Sequence, residues 1–290
     1  MKIKTHIDFV DRLLGGGVRP GEVTLHAGLI GGGKTALAVQ IGWECIRHAY
    51  RSHRSCRVVY LDSDKNILFL ANLVSCSAWI PRSTAQLAWM KGGKSVLSVS
   101  GGNSYETIVE AASGVSPESE LSRFELAVRL LNNSFELFAG QEVCDLRNLV
   151  QGDPVDLIIV DGLSLYTLAA TGEFASRKGL EKTLKNLEMV AKSCSCPVWV
   201  THQLNSAQNL LNPTVPDPVA TDRLRNIWPL VGNGIVSGAL SSTNHAVFIH
   251  HTGDPRIVGY LRQDFCRWSL ATEKCIRDGQ VVRQARGARP

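Results

Sequence analysis

Eight residues near the amino terminus, Gly28-Leu29-Ile30-Gly31-Gly32-Gly33-Lys34-Thr35, fit the pattern G-x-x-x-x-G-K-[ST]. Glycines at this spacing let successive backbone N–H groups wrap phosphate oxygens, and a helix starting at the lysine presents its positive end to the same anion. Lys34 supplies a point charge for the phosphates, Thr35 a hydroxyl for Mg²⁺, and Ala36 continues the first turn behind them. The candidate contacts for a nucleotide are therefore Gly28, Gly31, Gly32, Gly33, Lys34, Thr35 and Ala36. A glycine-rich surface loop without a ligand is the plain alternative.

Three further positions carry polar groups at the ends of apolar runs. Asp161 closes Val155 to Val160, where a carboxylate can hold Mg²⁺ through its water shell; it could also simply open a turn before Gly162. Asp62 and Asp64 follow Arg57 to Leu61. Either could polarise a water attacking a terminal phosphate, with Asp64 the better placed, or Asp64 could cap the next helix. Gln203, preceded by His202, ends Pro197 to Thr201, and a side-chain amide there can sense a terminal phosphate and move the loop after it. Arg223, Arg225, Arg256, Arg262 and Arg267 are candidates for a guanidinium reaching a neighbouring subunit's nucleotide, and sequence does not choose among them.

The elements that must place these groups alternate. Ile7, Val10, Leu13 and Leu14 have the spacing of a short helix face stopped by Gly15-Gly16-Gly17, and Val23 to Ala27 reads as a strand. Lys34 to Tyr50 reads as a helix and Arg57 to Leu61 as a strand; residues 66–79 and 118–132 read as helices. Lys91 to Asn103 reads as a mobile connection, Ser134 to Ala139 as a strand and Glu142 to Val150 as a short helix. Val155 to Val160 is a strand buried on both faces, and residues 176–193 a helix with Leu180, Leu184, Leu187, Met189 and Val190 inward. Pro197 to Thr201 is a further strand, Asn205 to Asp222 a long loop, and the remainder, including Ala246 to His250 and Gln280 to Arg283, shorter strands. Alternation of this kind predicts an α/β fold with a mostly parallel sheet and helices on both faces, its ligands beyond the carboxyl ends of the strands. Residues 1–260 are expected to form the core, with 261–290 as terminal strands and a basic tail, in the same domain or an extension of it.

Composition sets the outer limits. The 290 residues are 44% hydrophobic and 20% charged, enough for one large packed domain. The net charge of +5 is mild, but Arg262 to Pro290 carries seven Lys/Arg against three Asp/Glu, a tail that either touches phosphates or is merely solvated. Eight scattered cysteines without paired metal-ligand spacing and without a preceding apolar leader read as free thiols of a reducing compartment. No apolar run approaches the ~20 residues of a membrane span, so a membrane or secreted role is not expected.

Taken together, these motifs resemble the RecA-like superfamily, and most closely the ATPase domain of DnaB-type replicative helicases. Ile7 to Gly42 is similar to that family's opening and also to RadA and KaiC proteins; Leu157 to Asn205 follows the helicase order of acidic strand end, loop, helix and strand into Q-L-N. Residues 114–139 and Thr221-Asp222-Arg223-Leu224-Arg225 are similar to further helicase stretches. The resemblance implies a RecA-like fold and a cytoplasmic protein of a bacterial or phage-infected cell. It also implies ATP and Mg²⁺ as cofactors, with Lys34 and Thr35 on phosphate and metal, Asp161 on the metal and Gln203 as coupling residue. Its implied partners are single-stranded DNA, facing Asn205 to Asp222 and the loop after Asp161, further copies of the chain in a hexamer, and replication proteins. Recombination or annealing in the RadA manner, and a KaiC-like assembly switch, are the alternatives it leaves. Three departures stand out: Asp64 occupies a position where the family carries Glu, Asn205 to Ala220 holds no Lys or Arg, and the basic finger motif is not clear around Leu261 to Ser269.

Overall fold

A computed structural model describes residues 2–5, 7–28, 31–63, 76–77, 118–139, 146, 150–172, 177–204, 233–239, 246–251, 254–264, 267–277 and 280–285. In chain order its elements are α1 (Asp8–Leu13), β1 (Val23–Gly28), α2 (Lys34–Arg51), β2 (Val58–Asp62), α3 (Glu118–Ser134), β3 (Phe135–Ala139), β4 (Leu157–Asp161), α4 (Leu163–Thr171), α5 (Arg177–Cys194) and β5 (Val198–Gln203). Then follow β6 (Asn233–Ala239), β7 (Ala246–His251), β8 (Asp254–Asp264), β9 (Arg267–Arg277) and β10 (Gln280–Ala285).

One sheet holds all ten strands in the order β10-β9-β8-β7-β6-β1-β5-β4-β2-β3. The six from β6 to β3 run parallel, and β7 to β10 extend the β6 side antiparallel. The parallel strands read as nearly unbroken apolar runs because both faces are covered: every residue of β1, β2 and β4 is buried. One face packs on α1, α2 and α3 through Phe9, Leu37, Ile41, Ile46, Val128 and Leu131 against Val58, Tyr60, Ile159 and Trp199. The other packs on α4 and α5 through Leu163, Tyr166, Leu180, Leu184 and Leu187 against Leu25, Val59, Ile158, Val160 and Val200.

Most of the expected elements are present within a residue or two of their bounds. Met189 departs from expectation: its side chain is 48% exposed, not inward. It lies two residues after Leu187, about 200° around a helix of 3.6 residues per turn, so it falls opposite the buried stripe. The strands after residue 246 are not all short, since β8 and β9 have eleven residues each. The division expected at residue 260 falls inside β8. Residues 66–75, 78–79, 91–103 and 205–222, with most of 142–149, lie outside the described residues.

Candidate nucleotide site at the carboxyl edge of the sheet

Strand register brings the sequence candidates to one edge. Gly28, the last residue of β1, lies opposite Gln203 of β5 and Ser237 of β6, while Asp62 of β2 lies opposite Asp161 of β4. The N–H of Leu204 donates to the Gly28 carbonyl at 2.9 Å, tying the end of β5 to the point where the glycine loop leaves β1.

The loop turns into α2 through Gly33, which sits in the left-handed region at φ 74° and so needs glycine. Its carbonyl accepts the first helical bond, from Leu37 N–H at 2.8 Å. Gly31 is also left-handed, and Gly31, Gly33, Lys34, Thr35 and Ala36 are all partly exposed. Gly28 serves a different purpose. A Cβ there would stand 2.5 Å from Ser237 Oγ and 2.6 Å from Ser237 O, so glycine is what allows β6 to approach β1.

Asp161 is 6% exposed and held from both sides. Tyr60 Oη donates to its Oδ2 at 2.7 Å, and Thr201 Oγ1 donates to its Oδ1 at 2.5 Å. Thr201 Oγ1 in turn accepts the Gly162 N–H at 2.9 Å, and the Ser63 N–H donates to the Asp161 carbonyl at 3.2 Å. A carboxylate that accepts one hydroxyl on each oxygen keeps a lone pair on each for a further donor.

Two buried histidines flank Lys34. Burial first, and the nearby Lys34 ammonium second, bring His202 down to about 4 and hold His26 well below the usual imidazole value of 6.5. Both are neutral at physiological pH. His26 Nε2 lies 2.8 Å from Ser237 Oγ, a polar contact across β1 and β6, and His202 Nδ1 lies 3.5 Å from Ser164 Oγ in the first turn of α4.

Mg²⁺ suits this donor set. The ion keeps several waters and is commonly held by one or two protein oxygens together with substrate phosphates. A threonine hydroxyl beginning a helix after a phosphate-type loop and a fixed, buried carboxylate at a neighbouring strand end supply those oxygens. Among the described residues there is no cluster of three His, Cys, Asp or Glu side chains for a protein-only metal site.

Of the predicted residues, Gly28, Gly31, Gly32, Gly33, Lys34, Thr35, Ala36, Asp161 and Gln203 belong to this edge or the turn leading from it. Asp64, Arg223 and Arg225 lie outside the described residues, and Arg256, Arg262 and Arg267 fall on β8 and β9. Tyr60, Thr201, His26, Ser164 and Ser237 were not anticipated. For three of them the signal was present: Tyr60, Thr201 and His26 are polar residues inside apolar strands, close to the carboxyl ends.

A parallel sheet with a glycine loop leaving its central strand into α2, and polar groups gathered beyond the carboxyl ends, defines a RecA-like α/β fold. Solved structures of that fold align along nearly the whole chain. The crystal structure of the RadB recombinase matches at 18% identity and TM-score 0.51, covering 92% of this chain and 98% of that one. The ATPase domain of a DnaB-like helicase matches at 11% identity and TM-score 0.64, covering 93% and 91%. No family model and no curated protein matches the sequence. Likeness at these identities is likeness of fold.

Proposed function

We propose that this chain is an ATPase that uses hydrolysis to move along single-stranded DNA as an oligomeric ring, in the manner of the DnaB-type helicases its sequence resembles. The observation that carries the reading is the convergence at one sheet edge: the glycine loop and Lys34 leave β1 where it pairs with the Gln203 end of β5, and Asp161 closes the strand beyond.

In this reading the loop N–H groups and Lys34 bind the triphosphate, and Thr35 and Asp161 hold Mg²⁺. The metal neutralises charge on the β- and γ-phosphates. Asp64 positions the attacking water, its short side chain giving slow turnover. Gln203 registers the terminal phosphate and passes its loss to residues 205–222, which face DNA. An arginine of a neighbouring copy, drawn from Arg223, Arg225, Arg256, Arg262 and Arg267, completes the site, so the active form is a homo-oligomer, a hexamer by analogy with the helicases. Replication proteins are the partners such a motor would serve. The likeness to RadB supports a second reading, a recombination ATPase that assembles on DNA as a filament.

The deciding experiment measures ATP hydrolysis with and without single-stranded DNA on protein whose oligomeric state is read by light scattering. Mg²⁺-dependent hydrolysis stimulated by DNA is expected, with Lys34→Ala slower by about two orders of magnitude, the scale seen when a charge-stabilising group is removed from a site. Closed rings that open a forked duplex support the helicase, and filaments that pair strands without opening one support the recombinase. Absence of any calorimetric heat with Mg²⁺ and ATP or GTP removes both.

A further inference from the structure

We infer that Tyr60 and Thr201 are positioning residues that clamp the Asp161 carboxylate between β2 and β5 and so set the affinity of the site for Mg²⁺. The inference rests on the proposed metal role of Asp161.

Three observations carry it. Both Asp161 oxygens are engaged, by hydroxyls from strands on opposite sides of β4 in the sheet, at 2.7 Å and 2.5 Å. Tyr60 and Thr201 are themselves 0% and 1% exposed, so no water competes for their bonds. Thr201 is also bonded by the Gly162 N–H, which fixes the turn directly after the carboxylate. An aspartate alone on a strand end can turn about its χ angles; with two hydroxyls converging on it, one orientation is held. Hydroxyl donors favour the ionised carboxylate, which is the form a cation requires. Groups that orient a metal-facing side chain commonly matter for metal affinity about as the ligands do.

The arrangement also gives Thr201 a second consequence. It lies two residues before Gln203 on the same strand, so a shift of β5 when Gln203 gains or loses a phosphate contact moves the hydroxyl that holds Asp161. Metal retention and phosphate sensing are thereby linked through one short piece of β5.

The test uses the full chain and four proteins: wild type, Tyr60→Phe, Thr201→Val and Thr201→Ser. Circular dichroism melts establish that each is folded. Affinity for a fluorescent ATP analogue is then titrated as a function of free Mg²⁺, and separately in EDTA. Wild type is expected to show Mg²⁺-dependent binding. Tyr60→Phe and Thr201→Val should raise the Mg²⁺ concentration for half-maximal binding by about tenfold each, the lower end for lost orienting groups, with affinity in EDTA unchanged. Thr201→Ser, which keeps the hydroxyl, should return to within about twofold of wild type on the same argument. Folded Tyr60→Phe and Thr201→Val proteins with wild-type Mg²⁺ dependence overturn the inference, as does a Thr201→Ser variant no better than Thr201→Val. Parallel losses with and without Mg²⁺ also overturn it, because a merely structural role moves both. A wild type that binds no nucleotide at all refutes the nucleotide reading instead, so the two failures are distinguishable.

Discussion

His202 shows how the site acts on single residues. Its imidazole is buried and close to the Lys34 ammonium, and for those reasons its folded-state value is about 4 against 6.5 when free. Between those two values the unfolded chain takes up a proton that the folded chain refuses, so stability falls as pH is lowered from 6.5 to about 4 and levels off below. A shift of that size corresponds to about 3 kcal/mol at most. His26 is depressed by the same causes, and it adds a loss of the same sign. Urea midpoints measured from pH 7 to pH 4 should therefore decline steadily in wild type, and His202→Gln should flatten part of the decline, leaving the share due to His26. A His202→Gln profile parallel to wild type would refute this account. The residues of the phosphate loop were legible in the sequence because spacing alone specifies their chemistry. The clamp on Asp161 was not, because Tyr60 and Asp161 are a hundred residues apart and meet only through strand order.

At the scale of elements, Gly28 is the tightest point of the parallel half. Gly28→Ala would drive its Cβ into Ser237, whose backbone carbonyl cannot swing aside, and the pairing of β1 with β6 should loosen. The expected cost is about 1–3 kcal/mol, as for other overpacked interiors, read as a lower urea midpoint with unchanged slope. The same change should weaken nucleotide binding, since the loop starts at that residue. By contrast, truncating exposed Met189 to Ala should alter the midpoint by less than about 0.5 kcal/mol, the usual scale for surface positions. β4 could be recognised as a strand because Leu157 to Val160 is apolar throughout. β6 could not, because NGIVSGA holds two glycines, a serine and an asparagine and owes its strand form to β1 beside it. α4 was likewise missed: nine residues starting directly after Gly162, uncharged and rich in Leu, carry no cap or polar face to mark a helix.

For the whole molecule, five of the eight cysteines fall among residues whose side chains are described, all as free thiols, and only Cys194 is partly exposed. Cys45 and Cys56 have Sγ atoms 3.7 Å apart; their shared hydrogen bond, with burial, raises the Cys56 thiol, and burial first pushes Cys196 up to about 12. Iodoacetamide at neutral pH followed by peptide mass mapping should label Cys194 well ahead of Cys45, Cys56, Cys76 and Cys196, which become reactive on unfolding. Fast labelling of Cys56 in the native state would contradict the packing of α2 against β2. No helix among the described residues is long and apolar enough to cross a membrane. The overall α/β class was readable from alternation of elements, whereas the antiparallel extension was not, since nothing in a strand's composition tells which neighbour it will take. One outcome of the strand order reaches into synthesis. β1 is made first, yet both strands that flank it come from residues 198–203 and 233–239. A ribosome-bound chain thus carries the complete glycine signature long before it has a pocket, and a fragment ending near residue 190 should leave nucleotide unbound despite containing every residue of that signature. Triphosphate can reward the finished architecture but cannot template its assembly.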